Sequence, residues 1–276
     1  MNLTRQYILM LTIVFFNTIA FGQIAEESRH FNTWFSLKAK IDLSDRFYVN
    51  SQISLRRYDI LKSWHKIILR ARGLYKINDF LVAGLGYTYS RNFVPDQPEN
   101  LISVPRSVIF SELGFTNKFD DLKLTNRFRL EHRFTGNLVV PEDINTKAFI
   151  DGTKFSNRLR YRVSFKYPLI KLDGEIKLYG AGFYELFLRM DANFKILNIS
   201  GNIFKIVAGY QLNDLVTLEG GFRRTIRHNK TYVLKETNTI LDMSIKYRFD
   251  FKDKFSDHVI PVFHNLFQEE RNIENK

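Results

Sequence analysis

Apolar and polar residues alternate along most of the chain after residue 30. In the segment 31–43, Phe35 and Leu37 alternate with Ser36 and Lys38. A period of two puts successive side chains on opposite faces of a β-strand, whereas an amphipathic helix repeats its apolar positions every three or four residues. The same period recurs in eleven segments, at 31–43, 46–58, 64–77, 80–93, 106–119, 122–134, 155–167, 175–188, 202–212, 215–228 and 237–250. The pattern predicts an all-β chain of long, two-faced strands.

Two kinds of connection alternate between these segments. Tight polar turns with the chemistry of Asx turns stand at Ser44–Asp45, Asn78–Asp79, Asp120–Asp121 and Asn213–Asp214, with a slightly longer one at Pro168–Gly174. Mostly longer connections lie between them, at 59–63, 94–105, 135–154, 189–201 and 229–236. Outer-membrane barrels have short periplasmic turns and longer extracellular loops. The sequence therefore predicts an antiparallel up-and-down transmembrane β-barrel.

The number of strands is the least regular feature of this prediction. Eleven is odd, whereas bacterial single-chain barrels have an even number of strands. A twelfth strand at Asp257–Phe267 would restore an even number and would pair antiparallel to the first strand, although Pro261 weakens a central strand. We predict 12 strands, with 10 as the alternative; an exported soluble β-sandwich is a further alternative.

The first 22 residues have the features of a secretory signal peptide. Arg5 supplies a positive charge, Ile8–Ile19 is a mostly apolar stretch, and Ala20 and Gly22 are small residues suited to a cleavage site. The apolar stretch is shorter than the roughly 18 residues of a membrane-spanning helix. We predict a cleaved signal peptide at 1–22, a barrel at 23–250, a C-terminal segment at 251–276, and a location in the outer membrane of a Gram-negative cell.

Aromatic residues concentrate near the two ends of the segments. The chain has 26 Phe, 13 Tyr and 2 Trp. One set adjoins the short turns (Phe47, Tyr75, Phe80, Phe119, Tyr167, Tyr210, Tyr247 and Phe249), and another lies near the opposite ends (Trp34, Tyr58, Trp64, Tyr89 and Phe93). Two aromatic girdles mark the two membrane surfaces of a transmembrane barrel. We expect the lipid bilayer and lipopolysaccharide as partners; the pattern does not specify an oligomeric state.

The chain is basic, with 41 Lys and Arg against 29 Asp and Glu and a net charge of +12. If the apolar faces point outward, about 20 bases and about six acids face the lumen. Guanidinium groups bind phosphate and carboxylate bidentately, so we predict an anion-binding set at Arg127, Arg129, Arg133, Arg158, Arg160 and Arg162. The lumen would bind or pass anionic solutes. The alternative is a packed, ion-paired lumen with a structural role. Nucleic acid is disfavoured, because these bases alternate with lipid-facing residues.

Several stretches of the chain carry a resemblance to a known family. After the signal peptide they are the tryptophan-containing segment His30–Ile41, then Leu55–Asp59, Trp64–Arg70, Ala83–Tyr89 and Leu124–Phe134, the last followed by Asn157–Arg162. Over about residues 30–250 the chain resembles domain-of-unknown-function family 2490, a set of uncharacterised, predicted outer-membrane barrels. The resemblance implies a barrel and an outer-membrane location. It implies no activity and no functional residue.

Catalytic chemistry has little support in the sequence. The chain has no cysteine, which excludes disulfides, cysteine-ligated metals and thiol catalysis. His132 adjoins Glu131, and Ser164 lies on the next segment, but adjacent residues of a strand point to opposite faces. We predict no catalytic residue, no metal and no cofactor. The alternative function is an outer-membrane enzyme that modifies lipid A or phospholipid on the same barrel.

Overall fold

The strands form one closed barrel in the order β1-β11-β10-β9-β8-β7-β6-β5-β4-β3-β2. The structure, a computed structural model, describes residues 26–93, 103–139, 141, 148–191, 193–228 and 234–252. The strands are β1 (Glu26–Asp42), β2 (Phe47–Tyr58), β3 (Ser63–Lys76), β4 (Leu81–Phe93), β5 (Ser103–Phe119), β6 (Leu122–Val139), β7 (Phe149–Leu172), β8 (Glu175–Met190), β9 (Ile196–Gln211), β10 (Val216–His228) and β11 (Leu234–Asp250). Each alternating segment corresponds to one strand, so the predicted all-β barrel is confirmed. The fold is a single closed sheet and not a two-sheet sandwich.

The first and last strands close the barrel by pairing in parallel. Their register runs from Glu26 opposite Leu234 to Asp42 opposite Asp250, whereas all other neighbouring strands are antiparallel. Because direction reverses at every turn, an odd number of strands leaves the first and last pointing the same way.

The predicted number of strands is not confirmed. Within the described residues the barrel has eleven strands, neither the 12 predicted nor the alternative of 10. Both edges of β1 are paired, one with β11 and one with β2, so no edge of β1 is left for a twelfth strand. The segment Asp257–Phe267 lies outside the described residues, as do the predicted signal peptide and most of 251–276.

Side-chain oxygens shape the short turns as the sequence predicts. Asn78 Oδ1 accepts hydrogen bonds from the backbone N–H groups of Phe80 at 3.1 Å and Leu81 at 2.8 Å. Asn213 makes the same pair of bonds in its own turn. These bonds satisfy backbone donors that the hairpin leaves unpaired.

One of the predicted turns is wrong in its bounds. Pro168 does not begin a turn, because β7 continues to Leu172 and only Asp173 and Gly174 reverse the chain, with positive φ angles of 51° and 80°. The register between β7 and β8 shifts beside Pro168. A proline has no N–H for the ladder and is tolerated at such an irregularity.

The opposite end of the barrel has connections at 59–62, 94–102, 140–148, 191–195 and 229–233. We call this the long-loop end and the other the short-turn end. The loops are shorter than predicted, because β5, β7 and β9 begin earlier than their segments. The difference in loop length between the two ends is therefore weaker than the sequence indicates, and 59–62 is itself no longer than a turn.

At the short-turn end, the residues that follow β11 are held to the first turn. The backbone N–H of Phe251 donates to the carbonyl of Asp42 at 2.9 Å. Lys252 donates to the carboxylate of Asp45 at 2.8 Å. This hydrogen bond holds the pKa of the Asp45 carboxyl below its ordinary value.

The two faces of the sheet are the reverse of those in a soluble protein. On β9, Phe204 and Ile206 are exposed at 47% and 48%, while Lys205 between them is buried inside the barrel at 5%. Exposed apolar side chains lie on the outer face of every strand except β8, including Phe35, Leu55, Leu69, Leu85, Leu113, Phe128, Phe165, Leu218 and Ile245. The charged positions of the alternating pattern thus point inward.

Trp34 is an exception to the predicted aromatic girdles. It is buried at 3% on the inner face, because it shares the even positions of β1 with Ser36 and Lys38. Several of the other aromatics expected near the short turns are exposed on the outside, among them Tyr75, Phe80, Phe119, Tyr167, Tyr210 and Phe249.

Candidate functional site in the barrel interior

A cavity of about 900 Å³ occupies the part of the barrel nearer the long-loop end. Its wall includes Arg106 at the start of β5, Arg227 at the end of β10 and Asp191 just after β8. Deeper in the barrel it reaches Arg162 and Lys38. All of these positions follow from the alternation of the strands.

Several inward side chains in the short-turn half of the interior are buried. Leu74, Tyr179, Val207 and Glu219 lie on inner faces and are buried at 8% or less. None of the four lines the cavity. The Tyr179 hydroxyl donates to Glu219 at 2.8 Å, which joins β8 to β10 across this half. The cavity is therefore bounded on its short-turn side by a packed layer.

Three glutamates hold arginines of the neighbouring strands together. Glu112, Glu131 and Glu185 stand on β5, β6 and β8, and all three are buried. The ion pairs join Glu112 to Arg72, Arg127 and Arg129; Glu131 to Arg129, Arg158 and Arg160; and Glu185 to Arg127, Arg160 and Arg162. Each carboxylate thus meets three guanidinium groups. We call this set the glutamate–arginine network.

A second set of ion pairs lies across the barrel on β1, β9, β10 and β11. Asp242 accepts from Lys205 at 2.7 Å and also pairs with Arg223. Glu219 pairs with Lys246 and, at 3.4 Å, with Lys38. Two carboxylates therefore hold four cations, which again leaves bases in excess.

In the structure, the six arginines predicted to bind an anion fall into two groups, five that are ion-paired and one that is not paired with a described carboxylate. All lie on the inner faces of β6 and β7, as predicted, but five belong to the glutamate–arginine network. Arg127 and Arg129 do not line the cavity, whereas Arg158, Arg160 and Arg162 line it while ion-paired. Only Arg133 among the six lines the cavity without a carboxylate partner in the described part of the chain. Anion binding by this set stays a prediction.

Seven cations of the cavity wall have no carboxylate of a described residue within 4.0 Å. We call them the unpaired cations, and they are Arg56, Lys66, Arg70, Arg106, Arg133, Arg189 and Arg227. Lys66 is only 9% exposed. The Nε atoms of Arg56 and Arg133 are buried without a hydrogen-bond partner among the described residues. Within the described residues, Arg70 and Arg106 donate to threonine hydroxyls, at 3.0 Å and 2.9 Å.

Three of these cations lie at strand ends and are absent from the six arginines predicted to bind an anion. They are Arg106, Arg189 and Arg227, which lie where the predicted segments begin or stop. The alternation itself contains the signal, since Arg227 continues the inward series that includes Arg223 on β10. Asp42, which pairs with Lys40 at 2.5 Å, continues the inward series of β1 in the same way.

Aromatic rings of the wall carry guanidinium groups over their faces. The guanidinium carbon of Arg56 lies 3.4 Å from the centre of the Trp34 ring, and that of Arg223 lies 4.4 Å from it. Arg158 and Arg160 lie 4.7 Å and 4.8 Å from the Phe187 ring. Cation–π contacts of this kind orient arginine without neutralising its charge.

The residues considered for catalysis do not form one site. His132 points to the outer side, where its ring meets Phe155 and its Nδ1 lies 2.9 Å from Asn157 Oδ1. Glu131 points inward and accepts from Arg158 and Arg160. The Ser164 hydroxyl donates to a backbone carbonyl at 3.3 Å. His132 and Glu131 point to opposite sides of the sheet, as the sequence predicts.

In the part of the chain that the structure describes, no group of three or more His, Cys, Asp and Glu side chains is arranged to hold a metal ion. No helix of those residues is long and apolar enough to cross a membrane.

The chain is similar to one protein family and to a solved porin structure. The family model described as "Protein of unknown function (DUF2490)" matches residues 31–236. No curated protein matches the sequence. A solved structure described as "NanC porin structure in rhombohedral crystal form" shares 12% identity, with a TM-score of 0.41 over 70% of this chain and 85% of that chain.

Proposed function

The chain belongs to the family of proteins of unknown function DUF2490, and from the chemistry of its interior we propose that it is an outer-membrane β-barrel that binds anionic solutes in its lumen. The observation that carries this proposal is the charge of the cavity wall. Thirteen Lys and Arg side chains line it, against the two carboxylates Glu131 and Asp191.

The outer face supports a place in the membrane. Phe128, Leu85 and Phe222 are exposed at 42%, 69% and 56%, and exposed apolar area on this scale marks contact with lipid or a partner. Closure of the barrel leaves no unpaired strand edge, which a lipid environment requires because lipid cannot satisfy backbone groups. Lipid and lipopolysaccharide are the partners proposed for this face.

Export through a cleaved signal peptide is part of the same proposal. The mature chain would begin at Gln23. Fractionation of cells that express the full chain should place it with the outer membrane, and N-terminal sequencing of the purified protein should begin at Gln23. A barrel of this kind should also migrate differently on a denaturing gel before and after boiling. Recovery in the soluble periplasmic fraction would contradict the membrane proposal.

Binding is favoured over free passage by the packing of the interior. Leu74, Tyr179 and Val207 are buried in the short-turn half of the barrel, and none of them lines the cavity. A buried charge without a partner is costly, so the unpaired cations favour the presence of anions in the cavity. In this conformation the lumen is a binding chamber.

The test of the proposed function is an anion titration of the purified mature barrel in detergent. Calorimetry with inorganic phosphate should detect binding that weakens as sodium chloride is raised, because salt screens charge. Arg133→Met should weaken the binding, whereas Lys171→Met should not, since Lys171 lies outside the lumen and pairs with Asp121. Absence of binding by phosphate and by all multivalent anions would contradict the proposal.

A further inference from the structure

The unpaired cations stand on strands around the whole cavity wall. Arg56, Lys66, Arg106, Arg133 and Arg227 stand on β2, β3, β5, β6 and β10. Neighbouring strands are about 4.8 Å apart, so β2 and β6 are separated by several such steps along the wall. One carboxylate or phosphate can be held bidentately by one guanidinium. A single ligand that meets several of these cations at once therefore carries several charged groups on one scaffold.

Lys66 strengthens the case for a ligand with several charged groups. It is 9% exposed, it lines the cavity, and it has no carboxylate of a described residue within 4.0 Å. An ammonium group with so little exposed surface is stable only when anions, water or other acceptors in the cavity meet it. Its cross-strand partner is another cation, Arg56. A single negative charge could not compensate this pair together with the cations on β5 and β6.

Hydroxyl and amide groups share the wall with the cations. Ser36, Ser54 and Ser90 line the cavity together with Gln52 and Asn198. Ser36 and Ser54 are hydrogen-bonded to each other at 2.9 Å, and Asn198 Oδ1 is buried without a hydrogen-bond partner among the described residues. Hydroxyl and amide groups both donate and accept. They suit a ligand scaffold that carries hydroxyl groups.

Three aromatic rings of the wall, those of Trp34, Phe183 and Phe187, offer little stacking surface because guanidinium groups lie over them. Trp34 carries Arg56 at 3.4 Å and Arg223 at 4.4 Å. Phe183 carries Arg162 at 3.8 Å. Because guanidinium groups occupy these ring faces, a base or another aromatic ligand would have to displace them. The wall therefore favours a scaffold without aromatic rings.

We infer that the cavity takes a polyanion with at least three charged oxyanion groups on a non-aromatic, hydroxylated scaffold, such as a phosphorylated or sulfated polyol. The inference rests on the proposed function and narrows it to one ligand class. The cavity of about 900 Å³ is large for a single phosphate, and lies within the range of about 300–1,000 Å³ of sites for larger organic ligands.

The experiment is a set of calorimetric titrations of the mature barrel in detergent at constant ionic strength. The probes are inorganic phosphate, myo-inositol hexakisphosphate, sucrose octasulfate, citrate, tripolyphosphate and adenosine triphosphate. We expect inositol hexakisphosphate to bind at least about 100-fold more tightly than phosphate, because several charge-assisted hydrogen bonds add. The sulfated and carboxylate probes then distinguish the oxyanion. Adenosine triphosphate should bind no more tightly than tripolyphosphate.

The outcomes separate this inference from the proposed function. Equal binding of phosphate and inositol hexakisphosphate would overturn the polyanion class and leave anion binding intact. Tighter binding of adenosine triphosphate than of tripolyphosphate would overturn the non-aromatic scaffold. If no anion binds, the proposed function fails, and the inference fails with it.

Variants of the wall test where the polyanion binds. Lys66→Met should weaken inositol hexakisphosphate binding at least about tenfold, Lys66→Arg should retain most of it, and the matched control Lys171→Met should retain all of it. Heat-dependent gel mobility reports whether each variant is folded, and Arg133→Met is a second wall variant if Lys66→Met does not fold. Unchanged affinity in both folded wall variants would place the ligand outside the cavity and overturn the inference.

Discussion

At the scale of single residues, the interior depends on a few carboxylates that each hold several cations. Glu185 is 0% exposed and pairs with Arg127, Arg160 and Arg162. Its two oxygens satisfy guanidinium groups from two neighbouring strands, β6 and β7. Removal of one partner of a buried ion pair leaves the other charge uncompensated, which costs far more than the pair itself contributes.

We therefore predict that Glu185→Gln destabilises the barrel by about 3–5 kcal/mol. Urea unfolding in detergent micelles, followed by the fluorescence of Trp34 and Trp64, measures the change. Glu175→Gln is the control, because the Glu175–Lys177 pair at 2.8 Å is exposed and exposed pairs contribute little. Equal unfolding midpoints for the two variants would contradict the structural importance of the glutamate–arginine network.

Replacement of Lys66 should have the opposite effect on the stability of the barrel. It is buried among cations without a carboxylate partner in the described residues, so its replacement by methionine removes an uncompensated charge and keeps much of the apolar stem. We predict that Lys66→Met raises the urea midpoint of the protein in buffer without multivalent anions. The same substitution removes the stabilisation that added inositol hexakisphosphate gives to the wild type. A lower midpoint without anions would show that Lys66 has a partner.

At the scale of elements, close contact between strands fixes the packed half of the lumen. Gly209 on β9 lies opposite Tyr179 on β8. A Cβ at Gly209 would lie 2.2 Å from the Tyr179 ring. Only glycine lets this ring lie flat across β9 and bring its hydroxyl to Glu219.

We predict that Gly209→Ala destabilises the barrel by about 1–3 kcal/mol, because it forces Tyr179 out of its position. Gly220→Ala on the adjacent strand β10 is the matched control, since a Cβ there meets nothing within 4 Å. The urea midpoints of the two variants give the comparison. If both alanines are tolerated equally, the Tyr179 ring does not pack as described.

The parallel seam between β1 and β11 can be tested by cross-linking. Leu37 lies opposite Ile245, and Leu218 lies opposite Ile245 on the far side. Because the chain has no native cysteine, Leu37→Cys with Ile245→Cys should form a disulfide on mild oxidation, which gel mobility reports. Leu37→Cys with Leu218→Cys should not, since two strand spacings of about 4.8 Å exceed the roughly 7 Å limit for a disulfide.

The seam distinguishes eleven strands from twelve. A twelfth strand between β1 and β11 would separate Leu37 from Ile245 by two spacings and prevent their disulfide. Failure of that cross-link in a folded barrel would contradict the eleven-strand closure and favour the twelfth strand at Asp257–Phe267.

At the scale of the whole molecule, an apolar exterior surrounds a polar interior with a buried layer at one end. Leu74 and Val207 belong to that layer, and Arg106 and Arg227 line the opposite end. This arrangement is the basis of the proposed binding chamber, because the buried layer with Leu74 and Val207 does not line the cavity.

We predict that the reconstituted barrel has a low conductance in planar bilayers, since the packed layer obstructs ions. Any residual current under a potassium chloride gradient should be anion-selective, because cations line the cavity. A large conductance, or a reversal potential of cation-selective sign, would contradict the chamber and its charge.

The alternating pattern was sufficient to predict the strands, their hairpin order and the inward side of β6 and β7. Local periodicity determines which side chains share a face, so Arg158 and Arg160 could be assigned inward from sequence alone. The resemblance to the family is confirmed by the match over residues 31–236. Strand ends were less predictable, since the turn signal at Pro168 is overridden by the pairing of β7 with β8.

The sequence by itself determined the class of fold and the excess of inward positive charge, because both follow from a two-residue period and from composition. Only the tertiary structure decided how the first and last strands meet and which cations have no carboxylate partner among the described residues. Those outcomes depend on contacts between residues that are far apart in the sequence, such as Arg127 on β6 and Glu185 on β8. The sequence predicted one set of six arginines, and in the structure five of them pair with glutamates. Arg133, like Lys66 outside that set, has no carboxylate partner among the described residues.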